Sequence, residues 1–151
     1  MTHNLMGRFQ RDITYQVSLP RANRIQLTAT MRDVYHDIVV EVLVDADTLT
    51  IEALQAEFFR CPEIACRSAV ERLQGLVGVV IGRGLNRKIV DALGGAAGCG
   101  NLRIMLLGLL PLAMNVKAAE GFADEEAMMD SIRGKLRGSC AGYPQDGTAL
   151  T

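Results

Sequence analysis

The sequence has no tryptophan, few aromatic residues (5% of 151) and no surplus of basic charge. Lys and Arg number 16 against 17 Asp and Glu, for a formal net charge of -1. Proteins that bind nucleic acid or anionic membranes display basic patches, and single-strand binders add aromatic stacking platforms. The composition therefore predicts that neither nucleic acid nor a membrane surface is a partner.

Long hydrophobic runs are also missing. The longest apolar run, residues 102–114 with Arg103 inside it, is shorter than the roughly 20 residues that a membrane span needs. The first eight residues contain no signal-peptide core. We therefore expect no membrane span and a cytoplasmic protein, in which the four cysteines stay reduced. Reduced cysteines indicate metal binding or thiol chemistry more than disulfides.

The first half of the chain has the pattern of β-strands. Residues 11–19 alternate apolar and polar side chains, and residues 24–31 and 38–44 are rich in β-branched residues. Residues 20–23 and 45–47 are predicted turns. Residues 49–59 fit a strand or a helix, and three neighbouring strands favour a fourth. Connections this short permit only antiparallel neighbours.

The second half has the pattern of helices. Cys61-Pro62-Glu63 is a start signal, and an apolar stripe at helical spacing runs from Ile64 to Leu76. Residues 86–93 predict a short helix. Residues 101–116 predict an apolar helix, which Pro111 kinks or divides. The last predicted helix, residues 123–137, has Asp124 as its N-cap.

This order of strands and helices predicts an α+β fold: a small antiparallel meander of three to four strands, followed by helices packed on one face. The length fits one domain over residues 1–137. Residues 138–151 are rich in Gly, Ser, Thr and Pro and predict a flexible C-terminal tail.

Cys61 and Cys99 are the candidate chemical groups because each is expected to open a helix. Unpaired amides and the helix dipole stabilise a thiolate there, and a thiolate is both nucleophile and metal ligand. The glycines around Cys99 would let a partner approach its sulfur. The alternative is that both cysteines are small core residues and the glycines only close a turn. His36, flanked by Asp33 and Asp37, is typical of a solvated loop.

Several of these segments resemble an uncharacterised bacterial family, domain-of-unknown-function family 2889. The resemblance lies in Arg60-Cys61-Pro62-Glu63, in Leu76-Val77-Gly78 and in residues 94–102, whose Gly-Cys-x-x-Leu segment opens a helix. Many members have a histidine where this chain has Asn101. The family implies no activity.

A more distant resemblance is to the iron–sulfur scaffolds NifU and IscU and the sulfur acceptor SufE, which also pack helices on one side of a small antiparallel sheet. In that resemblance Cys61 and Cys99 match two scaffold cysteines, and Asp37 matches the Asp of a Cys-Gly-Asp loop. Tyr35 stands where the first scaffold cysteine is expected. The resemblance implies a mixed metal site, for zinc or iron, made by Asp37, Cys61, Cys99 and the adjacent His36.

Two main hypotheses follow. The first is a NifU/SufE-like domain that binds a metal or a sulfur species through helix-opening cysteines, a persulfide acceptor being one form of it. The second is a non-catalytic interaction or assembly domain with structural cysteines. Catalytic residues and turnover stay open. A protein partner or self-association is expected because the 102–114 helix is too apolar to expose every face.

Overall fold

A computed structural model of the chain describes residues 4–146. Its N-terminal part is a four-stranded antiparallel sheet with strand order β1-β2-β3-β4. The strands are β1 (Asp12–Arg21), β2 (Arg24–Arg32), β3 (Asp37–Asp45) and β4 (Ile51–Arg60). The predicted meander, its fourth strand and the α+β class are confirmed.

One face of the sheet carries the core because strand residues alternate between two faces. On β2 and β3 every second side chain is fully buried: Ile25, Leu27, Ala29, Met31, Ile38, Val40, Val42 and Val44. The residues between them are partly or largely accessible, which leaves the other face of the sheet open. Within residues 4–114, the helices that contact the sheet therefore pack on this buried face.

The first connection is shorter than predicted. Residues 20–23 were expected to form the turn, but β1 continues through Pro20 to Arg21. Pro20 is tolerated because β1 is an edge strand, where a proline interrupts no central ladder. Asn23 takes the left-handed conformation (φ 60°) that reverses the chain.

The segment after β4 is the main departure from the predicted helices. It is a 3-10 helix, Ile64–Leu76, and it begins three residues after Cys61. The prediction that Cys61 opens a helix is therefore wrong. Three residues of the predicted apolar stripe, Ala69, Leu73 and Leu76, are buried. Ile64 is exposed, and Cys66, expected in the core, is half-buried.

Two α-helices complete the core. Helix α1 (Leu85–Leu93) buries Leu85, Ile89 and Leu93, and α2 (Gly100–Leu109) buries Leu102, Met105, Leu106 and Leu109. Cys99 is the N-cap residue of α2, as predicted. Gly98 is required before it, because a Cβ at this position would overlap the carbonyl oxygen of Leu93, which accepts a hydrogen bond from Cys99 N at 3.0 Å.

Helix α3 (Leu112–Ala119) follows Pro111, so the predicted division of the apolar helix is confirmed. Together the stretch Gly100–Ala119 has the length and composition of a membrane span, a test that core helices of soluble proteins also pass. Helix α2 packs against β2 and β1, and its buried residues belong to the core of the sheet unit. The cytoplasmic location stays a prediction.

The chain divides into two compact units, one up to Met114 and one from Asn115. In the second, α4 (Glu125–Leu136) has Asp124 as its N-cap, whose carboxylate accepts a hydrogen bond from Ala127 N at 2.8 Å. This confirms the predicted cap. Beyond α4, Gly138 N donates to the carbonyl oxygen of Tyr143. Residues 147–151 of the predicted tail lie outside the described residues.

Candidate functional site

A buried carboxylate lies in the connection between β2 and β3. The side chain of Asp33 has no solvent exposure. Its Oδ1 accepts hydrogen bonds from the backbone amides of Tyr35 and His36, both at 2.8 Å, and its Oδ2 accepts one from Arg11 Nε at 2.7 Å. A buried charge is tolerated only when it is paired and hydrogen-bonded, and Asp33 meets both conditions.

These bonds keep Asp33 ionised. Burial alone would raise the pKa of the Asp33 carboxyl group, but the hydrogen bonds from Arg11, from the Tyr35 amide and from His36 outweigh burial and lower the pKa to about 2. Ionised aspartate can only accept hydrogen bonds, which fixes the proton positions of the groups around it.

His36 is the next member of the cluster. Its Nδ1 lies 2.9 Å from Asp33 Oδ1, so Nδ1 carries the hydrogen atom and donates a hydrogen bond to the carboxylate. In the neutral ring Nε2 is then the acceptor, and it receives a hydrogen bond from Asn101 Nδ2 at 3.1 Å. Asn101 belongs to the first turn of α2, two residues after Cys99. The imidazole therefore connects the β2–β3 turn to the start of α2.

The turn itself is closed by backbone bonds. Asp33 N donates to the carbonyl oxygen of His36 at 2.9 Å. From the end of β4, Arg60 Nη1 donates to the carbonyl oxygens of Asp33 (3.2 Å) and Val34 (3.4 Å). The turn is thus held by β4, by α2, by the residues before β1 and by its own carboxylate.

The two middle residues of the turn point outward. Val34 is 64% exposed and Tyr35 is 44% exposed, and we call this pair the apolar tip. The Tyr35 ring stacks on Phe9 with 6.3 Å between ring centroids, and the guanidinium carbon of Arg11 lies 5.6 Å from the centroid of the Phe9 ring. Arg11 therefore contacts both Asp33 and the aromatic support of the tip.

The four predicted metal ligands lie on different elements, and within residues 4–146 they are not part of a group of three or more side chains that could hold a metal ion. Asp37 begins β3, pairs with Arg32 (Nε to Oδ1, 3.4 Å) and lies opposite Arg60, the residue before Cys61. Cys99 caps α2. Among residues 4–146 no group of three or more His, Cys, Asp or Glu side chains could hold a metal ion. His36 reaches the start of α2 through Asn101, and Cys99 is the N-cap of that helix.

The expectation that His36 lies in a solvated loop is wrong, since its side chain is only 12% exposed. Arg11, Asp33 and Asn101 were absent from the predicted site. The Asp33-x-x-His36 spacing was a usable signal, because an aspartate at the start of a short turn commonly accepts bonds from the amides two and three residues later. Nothing in the sequence pattern placed Asn101 opposite His36.

The fold and site define a small α+β domain in which helices cover one sheet face and a buried aspartate–histidine pair ties the second hairpin to a core helix. Residues 11–115 match the family described as "Protein of unknown function (DUF2889)", which is most of the chain. The protein belongs to that family, as its sequence motifs indicated.

No curated protein matches the chain significantly, and no solved structure does. The resemblance to NifU, IscU and SufE therefore stays a prediction, as does any iron–sulfur chemistry.

Proposed function

We propose that this chain is a non-catalytic protein-interaction domain whose recognition surface is the apolar tip, Val34 and Tyr35. The observation that carries the proposal is that the buried Asp33 carboxylate fixes the conformation of the turn that contains the apolar tip. A fully buried carboxylate accepts bonds from two turn amides, from His36 and from Arg11, and the turn that it fixes leaves two large apolar side chains in solvent.

The energetics of binding explain why such a turn suits recognition. Association costs the conformational freedom of the side chains and loops that become ordered, so a surface that is already rigid binds more tightly. Stacking on Phe9 restricts the Tyr35 ring, and the bonds from Arg60 restrict the backbone on either side of Val34. Tyrosine is also among the residues that most often dominate interface energies.

A site-specific crosslink tests the proposal. A photoreactive amino acid in place of Val34 is expected to crosslink one defined protein in cells that express the chain naturally. The same substitution at Val90, an exposed apolar residue of α1, is the matched control and is expected to crosslink nothing in common with it.

The affinity between this chain and the purified crosslinked protein then decides whether the apolar tip is the recognition surface. The Val34→Ser/Tyr35→Ser double variant keeps the backbone groups that bond to Asp33 and Arg60, so its fold is expected to match the wild type. Its dissociation constant for the crosslinked protein is expected to rise by at least about tenfold, while Val90→Ser changes it little. Equal affinities for wild type and double variant would refute the proposal.

A second candidate, metal binding, is favoured by one observation. A carboxylate that accepts the Nδ1 proton of a histidine leaves Nε2 free to act as a ligand, and such pairs are common behind metal sites. His36 has this arrangement, and rotation of Asn101 would present its amide oxygen beside Nε2. The form of this candidate that we propose is zinc or iron held by His36 and Cys99, because Asn101, which bonds to His36, lies two residues after Cys99.

Metal analysis separates the two candidates. If His36 and Cys99 are ligands, protein purified without oxygen carries metal, and both His36→Ala and Cys99→Ser lose it while Cys61→Ser keeps it. Equal metal content in all four proteins would exclude the metal candidate and leave the interaction proposal untouched.

A further inference from the structure

The outer edge of β1 is unprotected from Ile13 to Ser18, before the register shift between Ser18 and Arg21 and before Pro20. β1 is a terminal strand of the sheet, and among residues 4–146 no strand pairs with its outer side. Between Asp12 and Arg21 it has no charged residue, and residues 13–19 combine β-branched, aromatic and small polar side chains. Such an edge exposes a row of backbone donors and acceptors to any strand that approaches.

The opposite edge of the same sheet is protected. β4 carries Glu52, Glu57 and Arg60, and its pairing with β3 shifts register near both ends. Charges and bulges are the means by which natural proteins keep strand edges from pairing. β1 has one register shift, between Ser18 and Arg21, and no charged residue between Asp12 and that shift, and this contrast indicates that its edge is used.

The core-facing side of β1 is also incompletely covered. Ile13 and Tyr15 are half-buried, and Tyr15 packs against Gly108 of α2, where a Cβ would overlap its ring. Farther along the strand the apolar side chains are exposed within the described residues: Val17 is 42% exposed and Leu19 is 65% exposed. The first half of β1 is covered by helix α2 of the same chain, and the second half is exposed to solvent.

We propose that two copies of this chain associate through antiparallel pairing of their β1 strands, which joins two sheets into one of eight strands. The two-fold axis passes through Gln16. In that register Ile13 of each copy faces Leu19 of the other, and Tyr15 faces Val17. Each exposed apolar residue thus meets a half-buried apolar residue, and apolar cross-strand pairs stabilise a sheet. The contact is the same on both copies.

The neighbouring registers are worse. An axis through Tyr15 sets Arg11 against Leu19, and an axis through Val17 sets Ile13 against Arg21. Both pair an apolar side chain with a charge, whereas the register through Gln16 keeps all four apolar positions together. This self-complementary pattern selects a second copy as the occupant. The association uses none of the residues of the apolar tip.

Sedimentation equilibrium of the full chain tests the association. The wild type is expected to form a dimer as its concentration rises. Val17→Lys/Leu19→Lys is expected to weaken the dimer by at least about tenfold, since it adds charge to the edge and removes both bare apolar groups. Thr28→Lys, on the open face of the internal strand β2, is the matched control and keeps the dimer. A wild type that stays monomeric, or a dimer that Val17→Lys/Leu19→Lys leaves intact, would overturn the proposal.

A disulfide tests the register. Gln16→Cys is expected to crosslink the two copies on mild oxidation, because residues opposite each other in an antiparallel pair lie within disulfide reach. Thr14→Cys is the control, because two Thr14 positions would be separated by about 13 Å along the strands. The native cysteines are the same in both variants. Equal crosslinking of the two variants, or none in either, would refute the Gln16 register.

Discussion

His36 donates a hydrogen bond from Nδ1–H to the buried carboxylate of Asp33 (2.9 Å), and its Nε2 accepts a hydrogen bond from the Asn101 side chain. One side chain thereby connects a hairpin turn to the first turn of the core helix α2. Asp33 bonds in addition to Arg11, which lies over the ring of Phe9. The network leaves Asp33 no solvent contact and leaves Val34 and Tyr35 outside it.

Replacing Asp33 by asparagine is expected to destabilise the fold. The asparagine side chain would lose the ion pair with Arg11 and would place an NH2 group where only acceptors fit, which costs roughly 2–4 kcal/mol for a buried network of this kind. Chemical denaturation measures the free energy of unfolding. Asp37→Asn is the control, because the Arg32 side chain that pairs with Asp37 is largely exposed and loss of the pair is expected to cost about 0.5 kcal/mol or less. Equal losses in the two variants would contradict the role given to Asp33.

The pH dependence of stability follows from the same carboxyl group. The pKa of Asp33 is about 2 in the folded protein against an ordinary value of 3.8, so the ionised group stabilises the fold above about pH 4 and the stabilisation is lost as the pH falls towards 2. Denaturation at a series of pH values is expected to show the advantage of wild type over Asp33→Asn shrinking across this interval. An advantage that stays constant down to pH 2 would contradict the assignment.

The tautomer of His36 can be observed directly. Because Asp33 accepts a hydrogen bond from Nδ1–H and Asn101 donates one to Nε2, nitrogen NMR at neutral pH is expected to show the Nδ1-protonated imidazole. Asn101→Ala removes the donor to Nε2 and is expected to cost about 1 kcal/mol of stability. Asn86→Ala, at an exposed position of α1, is the matched helix control. Finding the Nε2-protonated form in the wild type would show that the imidazole is oriented differently.

The contact between Gly108 and Tyr15 gives a test of the fold. Glycine to alanine within a helix normally stabilises by up to about 1 kcal/mol. At Gly108 the added Cβ would overlap the Tyr15 ring, so Gly108→Ala is expected to destabilise by roughly 1–3 kcal/mol. The Tyr15→Leu/Gly108→Ala double variant is expected to recover part of that loss in a double-mutant cycle. Additive effects would show that the two residues do not touch.

The sheet was predictable because its residues follow simple periodicities. Alternation along β2 and β3 marks the buried face, and short connections leave only an antiparallel meander. The 3-10 form of the helix after Cys61 was not predictable, because the spacing of its buried residues Ala69, Leu73 and Leu76 also fits an α-helix. The continuation of β1 through Pro20 was missed for a related reason. A proline predicts a turn unless the strand is known to lie at the edge of the sheet.

The site was harder to predict than the fold. Cys99 was placed correctly because glycines and an apolar run mark a helix start locally. Asp33 and His36 were seen as a loop, since local sequence shows their spacing but not the burial that α2 and β4 impose. The link from His36 to Asn101 joins residues 65 positions apart, and only the packed fold brings them together.

The claim that the buried network serves the apolar tip is tested most directly by the affinity of Asp33→Asn for the protein that crosslinks at position 34. The measurement uses conditions in which Asp33→Asn and Asp37→Asn are both fully folded. Asp33 makes no surface contact, so the account predicts that Asp33→Asn weakens binding at least about tenfold through loss of the fixed turn, while Asp37→Asn binds as the wild type does. An Asp33→Asn affinity equal to that of the wild type would contradict the account.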